Sequence, residues 1–297
     1  MAIVVFGVVT LVFVLLRVAA GDPAALMNPP GQQADIVQQT RERLGTDRTV
    51  VEQYVDYVLG VARGDLGSSF HGDHPVLAEV MAALPNTLAL ALVAIVFSST
   101  VGLLLGIGAA LRPNGAFDRG VLVYVSIALA TPSFWLAVVL VLIFSVRLEW
   151  LPAIDMEGPQ SFVLPVVTLA VALTPVLIRT TRQSFIETLG DDHVRAARAR
   201  GIPERRVILV HGLKVAALPL VTLIGLQAGL VMAGSYVVES VFNWPGIGKL
   251  TLDAVASRDF PMIQGCVLVA ALVFVLASFI VDLAYAALDP RIRASYR

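Results

Sequence analysis

Six stretches of this chain run without a single Asp, Glu, Lys or Arg: Met1–Leu16, Thr87–Leu111, Gly120–Val146, Phe162–Ile178, Val215–Val238 and Met262–Val281. A helix needs about 20 residues to cross a hydrocarbon layer at roughly 1.5 Å of rise per residue. The first run continues past Arg17 to Ala20, so all six approach that length. None alternates polar and apolar residues with period two, which selects helices over barrel strands. Composition agrees: AVILMFWYC residues make up 57% of the 297, and charged residues only 14%. Soluble domains carry about 25% charge. So apolar a chain cannot cover itself with a surface that water tolerates, which excludes a cytosolic enzyme, a nucleic-acid binder and a disordered polypeptide. The lone cysteine, Cys266, excludes an internal disulfide and a cysteine-only metal cluster, and it reads as a small packing residue.

The charges between the runs set a topology. Residues 112–119, 179–214 and 289–297 hold 13 Lys and Arg against 6 Asp and Glu, whereas residues 21–86, 147–161 and 239–261 hold 7 against 15. The net charge of −1 is therefore a basic side and an acidic side cancelling. The basic set is expected in the cytoplasm, together with both termini. Val18-Ala19-Ala20 has the small residues of a signal-cleavage site, but no basic stretch precedes the first run and five more spans follow. The expectation is a retained first helix.

Residues 21–85 are too polar for lipid. Ile36–Leu44 and Val50–Val61 have helical spacing, with Val51, Tyr54, Val55, Val58 and Leu59 expected on one side. Asp65-Leu66-Gly67-Ser68-Ser69 reads as a turn, so a small external helical subdomain is predicted after the first helix. His71-Gly72-Asp73-His74 lacks a convincing third ligand and reads as solvated loop.

The stretch from Asp191 to Arg206 specifies a short helix, a sharp turn and a second short helix. Asp191 or Asp192 suits the N-cap, Arg198 and Arg200 the C-terminal end, Gly201 a left-handed C′ residue and Pro203 the next start. Ala196, Ala197 and Ala199 leave the first helix little bulk. This loop resembles the coupling motif of ABC-importer permeases, carried by Ala196, Ala197, Gly201, Leu218 and Pro219. Arg195 stands where the motif's usual acidic residue falls, a replacement familiar in the peptide-importer branch. Gly21-Asp22-Pro23-Ala24, Gly64–Ser69, Leu84-Pro85-Asn86-Thr87-Leu88, Trp244-Pro245-Gly246-Ile247-Gly248 and Leu288–Arg293 are similar to that branch, in the same order. The family's usual basic stretch before the first span is absent.

The resemblance implies an all-α integral membrane protein of the type I ABC importer permease fold. It would have six transmembrane helices and serve as the permease subunit of a dipeptide or oligopeptide importer in a bacterial inner membrane. The expected organisation is a first helix over 1–20, an external subdomain over 21–85, a transporter domain over 86–288 and a cytoplasmic tail over 289–297. A coupling loop is expected at 185–212. No phosphate-binding loop occurs: Gly246–Leu250 comes nearest but lacks the first glycine and the final Ser or Thr. ATP and Mg are therefore expected on partner ATPase subunits, with no cofactor, metal or catalytic residue in this chain. The implied partners are a second homologous permease, two ATP-binding subunits, an external solute-binding protein and membrane lipid.

Arg195, Ala196, Ala197, Arg198, Gly201 and Pro203 are the expected contact with the ATPase. Trp244, Pro245, Gly246 and Gly248 are the expected outer gate or binding-protein contact, with an interfacial Trp anchor as the plain alternative. Thr131, Ser133, Gln227 and Ser235 either line a path or bond between helices. Gly102 with Gly106, and Gly225 with Gly229, form Gly-x-x-x-Gly pairs suited to contact between subunits. Pro132, Pro165, Pro175 and Pro219 can bend helices. Asp282, near the inner end of the last span, reads as a residue that orients helices or meets solvent. Nickel or another small solute is the alternative cargo. A proton-coupled secondary transporter is the rival from another class, but it would need an intramembrane acid–base network and internal repeats that the sequence does not display.

Overall fold

The computed structural model describes residues 2–20, 34–44, 47–72, 74–153 and 158–288, and all of its named elements are helical. In chain order these are α1 (Ala2–Ala20), α2 (Ala34–Leu44), α3 (Val50–Arg63), α4 (Val76–Leu111), α5 (Ala116–Ala130) and α6 (Ser133–Leu140). After them come α7 (Val163–Gly190), α8 (Asp192–Ala199), α9 (Glu204–Arg206), α10 (Leu213–Val241), α11 (Ile247–Ser257) and α12 (Phe260–Leu288). Wider π-helical turns continue α6 over Val141–Arg147 and join α9 to α10 over Val207–Gly212.

Among the described residues, Val76–Leu111, Pro159–Gly190 and Phe260–Ile280 are each long and apolar enough to cross a membrane unbroken. Two further candidates are bent pairs, and Val4–Val14 is a shorter apolar helix. The uninterrupted third run expected at Gly120–Val146 is thus corrected. Helix α5 stops at Thr131, and the segment Ser133–Arg147 departs at 101° to it. The cause is local. Proline clashes with a helical residue before it, and Thr131 is accordingly extended (φ −92°, ψ 116°) ahead of Pro132. A second bend, of 57°, lies between Glu204–Ala217 and Pro219–Gly229. Pro175 stays inside α7 without ending it.

The chain forms two compact units, Met1–Thr87 with Pro245–Val275, and Leu88–Trp244 with Leu276–Arg297. The first is cored by Val76, Val80, Ile247, Ala254, Met262, Ile263 and Cys266, against which Leu66 and Leu84 pack. In this unit α3 lies along α1: Tyr54 and Tyr57 meet Phe13 with ring centroids 5.3 and 5.8 Å apart, and the Tyr54 and Thr10 hydroxyls are 2.7 Å apart. The face expected of α3 is therefore split. Tyr54 turns inward, whereas Val51 (71% exposed), Val55 and Leu59 remain open. Thr49 and Glu52 close a reciprocal capping box at its start, and Gly64 ends it in the left-handed conformation.

In the second unit α4, α5 and α7 close on one another. Lipid supplies no hydrophobic drive between helices, so close packing and polar bonds hold them. Gly102 and Gly106 let α7 approach α4: an added Cβ would stand 2.7 Å from the Leu177 Cβ and 2.5 Å from the Thr181 Cβ. The Gly-x-x-x-Gly pair on α4 is thus used within the chain, which corrects the expectation of a subunit contact there. Ala109, Val121, Val125 and Ile178 fill the space between the three helices. Tyr124 and Thr174 bond at 2.8 Å, and the Asp118 carboxylate accepts a two-pronged bond from the Arg182 guanidinium at 2.6 and 2.8 Å.

Candidate functional site

Helix α7 ends at Gly190, Asp191 turns the chain in an extended conformation (φ −69°, ψ 151°), and α8 begins. Asp191 is the N-cap position, but its side chain makes no capping bond and lies 3.7 Å from His193. The other end of α8 closes as its sequence requires. Gly201 adopts φ +74°, its N–H donates to the Arg198 carbonyl at 2.9 Å, and the Ile202 N–H reaches back to the Ala197 carbonyl at 3.3 Å. That pair of bonds is the Schellman closure, accompanied by its usual apolar contact. Val194, Ala197 and Val207 form the loop's own small core, with Leu189 and Ile202 packed against it.

The loop therefore has an inner and an outer side. Ala197 is 5% exposed and holds the loop to itself, whereas Arg195, Ala196, Ala199, Arg200, Gly201 and Pro203 are exposed. Arg198 is occupied at home. It donates to both Glu204 carboxylate oxygens, at 3.1 and 2.8 Å, and to the Leu189 carbonyl at 3.3 Å. The Arg198 guanidinium holds the Glu204 carboxyl below the ordinary carboxylate range. Arg195 has a loose pair with Asp192 at 3.5 Å, while no described ion pair involves Arg200, Arg205 or Arg206. The outer side is thus an exposed, basic surface carried on a hydrogen-bonded turn.

Within α4, two motifs far apart in sequence meet. The Asn86 amide donates to the Pro245 carbonyl at 2.8 Å, and the Ile247 N–H donates to the buried Thr87 hydroxyl at 2.8 Å. Gly246 and Gly248 are buried beside this latch, and Pro245 is exposed. A cleft of about 350 Å³ opens there, lined in part by Glu79, Asn86, Lys249 and Asp253. Ser69 donates to the buried Asp259 carboxylate, which also accepts from the Phe70 and Met262 N–H groups at 3.2 and 3.3 Å. Asp259 therefore ties the Gly64–Ser69 motif to the start of α12.

Trp244 is 2% exposed and meets Phe162 edge-on at 4.6 Å, so it is a packing residue and not an interfacial anchor. Gln227 and Ser235 are buried, and the Gln227 amide donates to the Leu173 carbonyl at 2.8 Å, bridging α10 to α7. Thr131 and Ser133 are half-exposed at the α5–α6 break. His71 lies 3.8 Å from Asp259, and no three His, Cys, Asp or Glu groups converge as a metal site among the described residues. Asp73, the tail over 289–297 and the Asp282 side chain lie outside the described residues.

Sequence reasoning missed Asp118, Arg182, Thr87 and Asp259. Only Thr87 had a signal, through its place in the Leu84–Leu88 motif.

Residues 102–294 match the family described as binding-protein-dependent transport system inner membrane component, and residues 1–91 match its N-terminal companion. The chain belongs to this family, and it is the non-catalytic, membrane-embedded permease subunit of an ABC importer. It is 40% identical over 288 residues to the glutathione transport system permease protein GsiC of Escherichia coli O6:H1, covering 97% of this chain and 94% of that one. The Salmonella choleraesuis protein of the same name is 40% identical over 286 residues, covering 96% and 94%. A solved structure of the methionine ABC transporter MetNI, in an inward-facing conformation, shares the fold. Its TM-score is 0.59 at 20% identity, and the match covers 71% of this chain and 96% of that one.

Proposed function

We propose that the chain forms half of the translocation path of an ATP-driven importer of short peptides. The observation that carries this reading is the 40% identity, over almost the whole length, to permeases named for glutathione, itself a tripeptide. Its expected cargo is a dipeptide or oligopeptide. Loop 185–212 docks in a groove of a separate ATP-binding subunit. Arg195, Ala196, Gly201 and Pro203 face that subunit, while Ala197 and Arg198 keep the loop in shape from within. A second homologous permease, two ATP-binding subunits carrying ATP and Mg, and an external solute-binding protein complete the assembly. This chain itself holds no cofactor.

Six spans follow if α1 and each bent pair cross once, with both termini in the cytoplasm and residues 21–85 outside. Thr131 and Ser133 line the path at the α5–α6 break. Pro245, Gly246 and Gly248, which follow Trp244 in the chain, form the outer gate or the binding-protein contact. Gln227 and Ser235 act by linking helices. Closure of the ATP-binding subunits selects one of two states of the assembly, and rocking of the spans moves the opening from outside to inside.

The test is uptake. The permease pair is reconstituted in liposomes with its ATP-binding subunits and binding protein, and labelled dipeptides, oligopeptides and glutathione are offered. ATP-dependent accumulation of a peptide is expected. Accumulation driven by a proton gradient without ATP overturns the mechanism. Nickel binding by the external protein, with no peptide carried, overturns the cargo.

A further inference from the structure

Motion of the coupling loop has to reach helices that do not touch the motor, and a buried ion pair outside the loop offers the connection. Asp118 sits in the first turn of α5 and is 1% exposed. Both of its oxygens receive the Arg182 guanidinium, and Oδ2 also accepts the Asn114 N–H at 2.8 Å. One carboxylate thus fixes the left-handed residue of the α4–α5 turn (Asn114, φ +63°) and the lower part of α7 together. A planar fork of this kind fixes orientation as well as distance, and removing either partner strands a desolvated charge. Arg182 lies eight residues before the end of α7, and Asp191 and α8 follow directly. On the same stretch of α7, Leu177 and Thr181 pack against Gly102 and Gly106 of α4. At the loop itself, Arg198 reaches back to the Leu189 carbonyl of α7.

We propose that the Asp118–Arg182 pair is a positioning strut that makes α5 move with the coupling loop, so that displacement of α8 reaches the α5–α6 break at Thr131-Pro132. This rests on the coupling reading above. The strut joins two elements by short, two-pronged bonds, and the 101° break in the span lies at the far end of α5. Without the strut, α7 and the loop still meet the motor, but α5 is held to α7 only by the Tyr124–Thr174 bond and apolar packing and follows less faithfully. ATP hydrolysis then continues while transport falls.

The experiment measures uptake per ATP hydrolysed by the reconstituted importer carrying Asp118→Asn, Arg182→Lys or, as a separate probe of the loop, Gly201→Trp. For Asp118→Asn the assembled complex and its ATPase rate are expected to persist, with uptake per ATP down roughly tenfold. Arg182→Lys keeps the charge and loses the fork, and it should fall between that variant and the parent. Unchanged coupling in both strut variants overturns the proposal. So does parallel loss of ATPase and uptake, or loss of assembled complex even with lysine, since each makes the pair a folding element only. If Gly201→Trp leaves coupling intact, the loop reading fails; if it uncouples while the strut variants do not, only the strut fails.

Discussion

Substitution of Gly201 separates two reasons for a glycine in the coupling loop. The residue has φ +74°, and nothing stands within 4 Å of where a Cβ would project. Within the chain the penalty of a side chain is therefore backbone strain alone, about 1–2 kcal/mol for an L-residue in the left-handed region. That is a factor of roughly 5–30 in the population holding the Schellman turn closed. Asparagine visits this region more readily, and valine resists it most, because its branched Cβ crowds the backbone. The series Gly201→Asn, Gly201→Ala and Gly201→Val should weaken titrated binding of the ATP-binding subunit to the permease in nanodiscs in that order. Asparagine is expected within a few fold of glycine, and alanine lower by the factor above. Equal losses for asparagine and alanine would refute the conformational reasoning and leave clearance against the partner as the reason. No loss for valine would refute both.

Three further outcomes are expected. Gly106→Val forces α4 from α7 at Thr181, and overpacking of this kind costs about 1–3 kcal/mol, read as a lower melting temperature of the purified permease. Thr87→Val strands the buried Ile247 N–H at about 1–3 kcal/mol, and amide exchange over residues 246–250 should quicken while the α7–α8 region is unchanged. The Arg198–Glu204 pair is partly exposed and contributes modestly. Because the Glu204 carboxyl is held low, its stabilisation is complete above the ordinary carboxylate range. It is lost as pH falls through the lowered value, so protease cleavage at residues 199–206 should rise only in acid. In Glu204→Gln that rise should disappear.

What could be read from the sequence was local. Uncharged runs report helices because every buried backbone group in lipid must bond within its own segment. The closure of α8 was legible for a different local reason: a glycine directly after a short helix takes the left-handed exit without strain, and Gly201 has φ +74°. Pro132 announced a bend, but a 101° departure depends on Thr131 giving up helical dihedrals, which no periodicity records. Gly102 and Gly106 advertise a surface that another helix can approach closely. They do not say whether that helix belongs to a neighbour, and here it is α7. The Asp118–Arg182 strut joins residues 64 apart, and the Asn86–Pro245 bond joins residues 159 apart. Each partner alone looks like an ordinary loop or interface residue. The apolar side of α3 was misjudged because Tyr54 and Val51 share a helical face by spacing, whereas the Phe13 ring meets Tyr54 and Tyr57 and Val51 stays exposed.

The most direct test of the central claim places one photo-crosslinking residue at Ala196, exposed on the outer side of α8, and another at Val51, exposed on α3. In the assembled importer, illumination should join the position-196 variant to the ATP-binding subunit, and the position-51 variant should capture none of it. Capture of the ATP-binding subunit at position 51, or its absence at position 196 in an importer that still hydrolyses ATP and transports, would contradict the account.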